Sequence, residues 1–299
     1  MTVQLLVEQL FNGLQLGMML FLMAVGVTLV FGIMRVINLA HGSMFMLGGY
    51  VLAESMERTH SLLIAVPLTF LAVIVIGALL ELVVLRPLYA RSHLDQVLAT
   101  FGLTLMFNEA VTMIWGREPL YLSVPEFLDG SIEILPGVPY PIYRLAITGV
   151  AIVTGALLYL LINYTRIGAL IRAGSDKREV VEALGVNIGL LYTLVFALGA
   201  SLAALAGMMT GPLLSIESGI GDPILILTLV VIVIGGMGSI RGAFIAALIV
   251  GMFDTMSRVM LPLVVTGSAS AALVGMAVYI LMAAVLLYSR TGLFSAARG

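Results

Sequence analysis

The chain has 299 residues, of which 61% are hydrophobic and 10% charged, and it carries a net charge of −2. Ordinary soluble domains hold roughly 45–50% apolar and about 25% charged residues, so the composition excludes a water-facing fold and predicts an all-α polytopic membrane protein with its backbone groups satisfied inside helices. The slight negative charge argues against nucleic acid as a partner, and with no cysteine present disulfides, thiol catalysis and cysteine metal sites are excluded.

A hydrocarbon core of ~30 Å takes about 20 apolar residues in a helix. Six segments meet that length: Leu10–Met34, Leu62–Leu85, Gln96–Trp115, Pro141–Ile162, Leu190–Leu214 and Ala271–Tyr288. The first has Glu8 ahead of it and no basic residue, unlike the start of a cleaved signal peptide, and reads as a retained span. Three shorter glycine-containing segments, Ala40–Ala53, Asp222–Gly238 and Ile240–Met256, read as compact spans or re-entrant pieces. The expectation is about eight to nine membrane-embedded helical segments in one bundle, forming a single transmembrane domain over residues 1–299.

Lys and Arg in short loops mark the cytoplasmic side. Nine segments put the termini on opposite faces. With the N-terminus outside and the C-terminus in the cytoplasm, ten of the 14 basic residues lie inside, leaving Arg58, Arg117, Arg144 and Arg258 outside. The acidic, proline-containing stretch 116–141 then becomes an extracytoplasmic loop. Gly199, Ala203, Gly207 and Gly211, and earlier Gly13 and Gly17, recur every four residues, a spacing that lets helix backbones approach closely.

The loop 165–189, cytoplasmic in this topology, has a short helix written into it. Asp176 with Glu179 three residues on makes a capping box, and Gly185 supplies a left-handed stop. Val180, Val181 and Leu184 are expected on one side, with Lys177, Arg178, Glu179 and Glu182 elsewhere. The apolar side needs a cover, either the membrane surface and its own bundle or a groove in a soluble partner.

Asn38, His41 and Gly42 stand at the start of a short apolar segment. Asn38 is expected to cap that helix and His41 to bond between helices; the alternative places them beside a translocation path at a broken helix. Among acidic residues in apolar segments, Glu81 is expected to snorkel towards Arg86, and Asp254 has the spacing to pair with Arg258. Glu109, with Asn108 and Thr104 on the same helix, is a candidate to line a cavity. The three histidines are far apart, so no metal site is expected. The Gly235–Gly242 turn lacks the Lys-Ser/Thr pair of a nucleotide loop, so no ATP site or other cofactor is expected in the chain itself.

Three stretches together resemble a known family. They are Gly32-Ile33-Met34-Arg35-Val36-Ile37-Asn38-Leu39-Ala40-His41-Gly42 with Met46-Leu47-Gly48-Gly49-Tyr50, the loop Gly168 to Asn187, and Gly235-Gly236-Met237-Gly238-Ser239-Ile240-Arg241-Gly242. They are similar to the signature, coupling segment and late glycine turn of the branched-chain amino acid permeases of ABC importers. The resemblance implies a bacterial inner-membrane protein paired with a homologous second permease. It also implies two cytoplasmic ATPase subunits that bind the ATP, and an extracytoplasmic solute-binding protein that delivers leucine, isoleucine or valine; related permeases serve urea, amides or other amino acids. Residues Asp176 to Gly185 would then be the element that couples to the ATPases. A different reading is an ion-coupled carrier or facilitative channel using Glu109 and Asp254. A membrane enzyme is disfavoured, because neither a zinc signature nor a nucleophile motif is present.

Overall fold

The computed structural model describes residues 3–176, 178–265, 267–289 and 292–294. Among them the helices are α1 (Val3–Met34), α2 (His41–Thr59), α3 (Leu62–Leu88), α4 (His93–Trp115), α5 (Ile142–Tyr164), α6 (Arg166–Asp176), α7 (Arg178–Ala183), α8 (Ile188–Thr210), α9 (Gly221–Gly235), α10 (Ile240–Val264) and α11 (Ser268–Tyr288). Seven of these, α1, α3, α4, α5, α8, α10 and α11, are long and apolar enough to cross a membrane, and α9 is a shorter apolar helix. The chain is a multi-pass, all-α membrane protein.

Two of the three segments expected to be short are longer than the apolar runs suggested. Ile240–Met256 is part of the 25-residue α10, because Arg258, which ends the apolar run, is neutralised by Asp254 one turn back at 2.8 Å. In the same way α2 continues through Glu54 and Arg58, which pair along the helix, to Thr59. Helix ends follow local chemistry. Ser92 and Asp95 form a reciprocal capping box at the start of α4, Asn187 caps α8, and Ser239 accepts from the Gly242 N–H at the start of α10.

The chain divides into two compact units. One contains residues up to 24, 124–154 and from 226 onward. Within it Gly13 and Gly17 bring α1 onto the backbone of α10 at Met252 and Ala247–Leu248, where a Cβ would stand about 2.9 Å from backbone atoms. Phe21 meets Phe244 edge-on at 5.1 Å. The same unit holds a hairpin within the 116–141 loop that the sequence did not announce, β1 (Ser131–Leu135) antiparallel to β2 (Val138–Pro141). Pro136 and Gly137 (φ 78°) occupy the two central positions of its turn, as a type II turn prefers. Tyr140 at its end stacks near Phe11 and donates to Asn12, and burial pushes the Tyr140 phenol up.

The other unit contains residues 25–123 and 155–225. Its centre is the packing of α2 on α8. Gly48 lies against Ala204 and Gly207 against Phe45, contacts that leave no room for a side chain. Gly199 meets Gly26 of α1, and Ala200 meets Gly77 of α3. The four-residue stripe on α8 is therefore a packing seam, in which close backbone approach replaces the hydrophobic drive that lipid removes.

Candidate functional site

Three places in the second unit gather the residues singled out above. The first is the junction of α1 and α2. α1 ends at Met34, Arg35 turns with φ 53°, and the chain runs without helix to Ala40. Asn38 does not cap α2. Its Oδ1 accepts the Ala40 N–H at 3.0 Å, closing a two-residue Asx turn, and the N-cap position belongs to Ala40, whose side chain has no oxygen to offer. His41 is 1% exposed and its imidazole lies against Gly26. Asn38 Nδ2, His41 Nε2 and Ser43 Oγ are buried and find no hydrogen-bond partner among the described residues. Gly42 rests on the backbone of Gly221, the first residue of α9, so neither glycine tolerates a side chain.

The second place is the outer half of α4. Thr104 is buried and bonds back to the Thr100 carbonyl at 3.0 Å, an intrahelical role. Asn108 donates to Asp222 in the first turn of α9 at 3.2 Å, and its carbonyl accepts the Ser218 hydroxyl at 2.8 Å. Leu120 pairs with Ile216 through two backbone bonds of 2.9 Å. Ile216 and Ser218 thus fix the non-helical segment 211–220 against Leu120 and Asn108 before α9 begins. Glu109 beside Asn108 is exposed. Sequence spacing gave Asn108 and Glu109 but neither Ser218 nor Asp222, because their partners are over a hundred residues away.

The third is the end where α3, α6, α7 and α8 meet. The 165–189 stretch contains two helices rather than one. α6 was hidden by Gly168 and Gly174, which serve close approaches to the Leu161–Ile162 carbonyls and to Leu191. Arg172 reaches the Ile162 carbonyl and Ser175 donates to the Gly32 carbonyl at 2.8 Å, fastening α6 to α5 and to the end of α1. The short helix runs Arg178–Ala183, with Gly185 at φ 82° ending it. Asp176 closes α6 in the backbone assignment, and the side chains of Asp176 and Val180, like Lys177, lie outside the described residues. The expected apolar patch is split: Val181 is 4% exposed and turned inward, whereas Leu184 is 77% exposed. Glu179, Glu182, Leu184 and Gly185 form the outward tip.

Behind that tip lies a polar knot around Glu81. Its carboxylate is fully buried, so it does not snorkel. Arg86 reaches it at 3.1 Å, Tyr89 donates to it at 2.9 Å and Thr193 at 2.7 Å. Arg86 also donates to the Gly189 carbonyl at 3.0 Å. Burial, and then the bond to Glu81, raise the Tyr89 phenol far above its ordinary range, so it stays a donor.

A family profile described as "Branched-chain amino acid transport system / permease component" matches residues 9–287. The chain is 31% identical over 261 residues to the high-affinity branched-chain amino acid transport system permease protein BraD of Pseudomonas aeruginosa, covering 83% of this chain and 84% of that one. It is 29% identical over 272 residues to the corresponding permease LivH of Escherichia coli K12, covering 84% and 85%. It is 28% identical over 260 residues to the ribose import permease protein RbsC of the same organism, covering 83% and 77%. No solved structure matches. With nearly its whole length inside the profile, the chain belongs to the branched-chain amino acid permease family of ABC importers.

Proposed function

We propose that the chain is the membrane-spanning subunit of an ATP-driven importer that carries leucine, isoleucine or valine inward across the bacterial inner membrane. It works beside a homologous second permease, two cytoplasmic ATPase subunits that bind the ATP, and an extracytoplasmic binding protein that delivers the substrate. The N-terminus and the 116–141 hairpin face outward; the C-terminus and the 165–189 segment face the cytoplasm. The observation that carries this reading is the family match across residues 9–287, together with relatives named for branched-chain amino acids at about 30% identity.

The geometry supports the coupling half of the mechanism. The tip bearing Glu179, Glu182 and Leu184 is exposed, while Val181 at its back is buried. A large apolar side chain flanked by carboxylates suits a groove with an apolar floor and basic rims. Movement imposed on the tip passes into α6, whose Ser175 holds the end of α1. From there it reaches α8, whose first turns are tied to α3 by Arg86 and Glu81. The carrier reading loses one of its two carboxylates, since Asp254 is engaged by Arg258 through two bonds. Affinity purification of the chain from its native membrane, with identification of every stoichiometric partner, tests the proposal. Two ATPase copies per permease pair are expected, and a chain purified alone in transport-competent form contradicts it.

A further inference from the structure

Glu109 is an exposed carboxylate on a membrane-spanning helix. It lies six residues before Trp115, the last residue of α4, hence ~9 Å inside that end at 1.5 Å per residue. Among the described residues no cation pairs with it, whereas Glu81, Asp254 and Glu54 each have an arginine. Around it the exposed face of α4 is apolar, with Leu98, Phe101, Leu105, Met106 and Met113. An unpaired carboxylate facing acyl chains is strongly penalised.

A second observation lies at the same depth. Ser218, in the non-helical segment 211–220, donates to the Asn108 carbonyl, and Glu217 and Ser218 are exposed. Irregular backbone is excluded from lipid contact and occurs at membrane depth only when it is covered by protein or lines water. Glu109 and Ser218, both at Asn108, therefore share a surface that lipid does not cover. No cation among the described residues reaches Glu109, and a buried charge left unpaired is costly; water and a cationic guest satisfy both groups.

We propose that this face of α4 lines the translocation path and that the Glu109 carboxylate receives the α-ammonium group of the amino acid in transit. The proposal rests on the transport reading above. It assigns a polarity to the path: an acceptor at Glu109 for the ammonium, while the apolar side chains of the same face meet the aliphatic side chain of the substrate. Asn108 is not free for this role, since its amide is committed to Asp222.

The natural absence of cysteine makes the test direct. Single-cysteine variants Glu109→Cys and Leu71→Cys are prepared in the complete importer; Leu71 is exposed on an otherwise apolar face of α3. Both are treated with a membrane-impermeant trimethylammonium methanethiosulfonate in proteoliposomes. Position 109 is expected to react at least tenfold faster than position 71, and leucine-loaded binding protein with ATP to change that rate. Equal rates overturn the path assignment. In parallel, leucine uptake is compared for wild type, Glu109→Gln and Glu109→Asp. A charge-assisted bond is lost in the glutamine variant, so uptake is expected to fall roughly tenfold or more, with aspartate recovering part of it. Wild-type uptake of leucine matched by Glu109→Gln overturns the role of Glu109 and leaves the importer reading standing. Absence of uptake in wild type overturns both.

Discussion

Arg86 holds Glu81 from five residues away, with 3.1 Å between Nη2 and Oε2, because the chain between them forms a π-helical turn over Glu81–Leu85. The bulge turns both side chains to one side. Glu81 thereby points into the bundle at zero exposure, and Arg86 bridges to the first turns of α8.

The first prediction concerns this pair. Removing one partner of a buried pair costs ~3–5 kcal/mol because a charge is left uncompensated. Arg86→Met should therefore lower the thermal stability of the purified permease sharply. Glu81→Met with Arg86→Met should restore much of it. Tyr89→Phe, which removes one neutral donor to the carboxylate, should cost ~1.5–3 kcal/mol. A double variant as unstable as Arg86→Met alone would mean that the pair is not the source of the effect.

A second prediction separates two residues that sequence placed together. Val181→Asp puts a charge into the permease's own interior and should reduce the amount of folded protein. Leu184→Asp alters an exposed side chain and should leave folding unchanged while abolishing retention of the ATPase. Size-exclusion profiles and copurification measure the two effects. Normal ATPase retention by Leu184→Asp contradicts the coupling role of the tip.

The third concerns the seam between α2 and α8. A Cβ at Gly48 or Gly207 would overlap main-chain atoms, which cannot yield as a flexible side chain can. Gly207→Val and Gly48→Val should each prevent accumulation of folded protein, whereas Gly102→Ala, with open space around it, should be tolerated. Expression and melting temperature decide this, and a stable Gly207→Val would refute the close packing.

A fourth tests orientation. A cysteine replacing exposed Ser131 on the hairpin should react with an impermeant reagent applied to intact cells. A cysteine replacing exposed Arg91, in the loop between α3 and α4, should react only after the cytoplasmic side is opened. The reverse pattern inverts the topology.

The spans were legible because hydropathy and length dominate in lipid, and α1, α3, α4, α5, α8 and α11 fall close to where apolar runs place them. What escaped depended on pairing. The Asp254–Arg258 pair was legible in its spacing, but not its consequence, that α10 runs on through Arg258; Arg86 was expected beside Glu81, but the burial of the pair depends on the π-helical turn between them. At the candidate site, Asn38 carries the right residue type for a cap but sits two residues too early, so it closes a turn. Val181 and Leu184 share an apolar character that says nothing of direction; the turn into α8 decides which one is buried. Glu109 was visible as a charge in an apolar run, yet its exposure beside Ser218 follows only from the fold of segment 211–220.

The central claim is tested most directly by uptake of radiolabelled leucine into proteoliposomes containing the purified complex, with ATP and substrate-loaded binding protein supplied on their respective sides. Uptake that requires both, and that stops when hydrolysis is blocked, is the predicted result. Leucine uptake by the isolated chain, driven by an ion gradient without ATPase subunits, would contradict it.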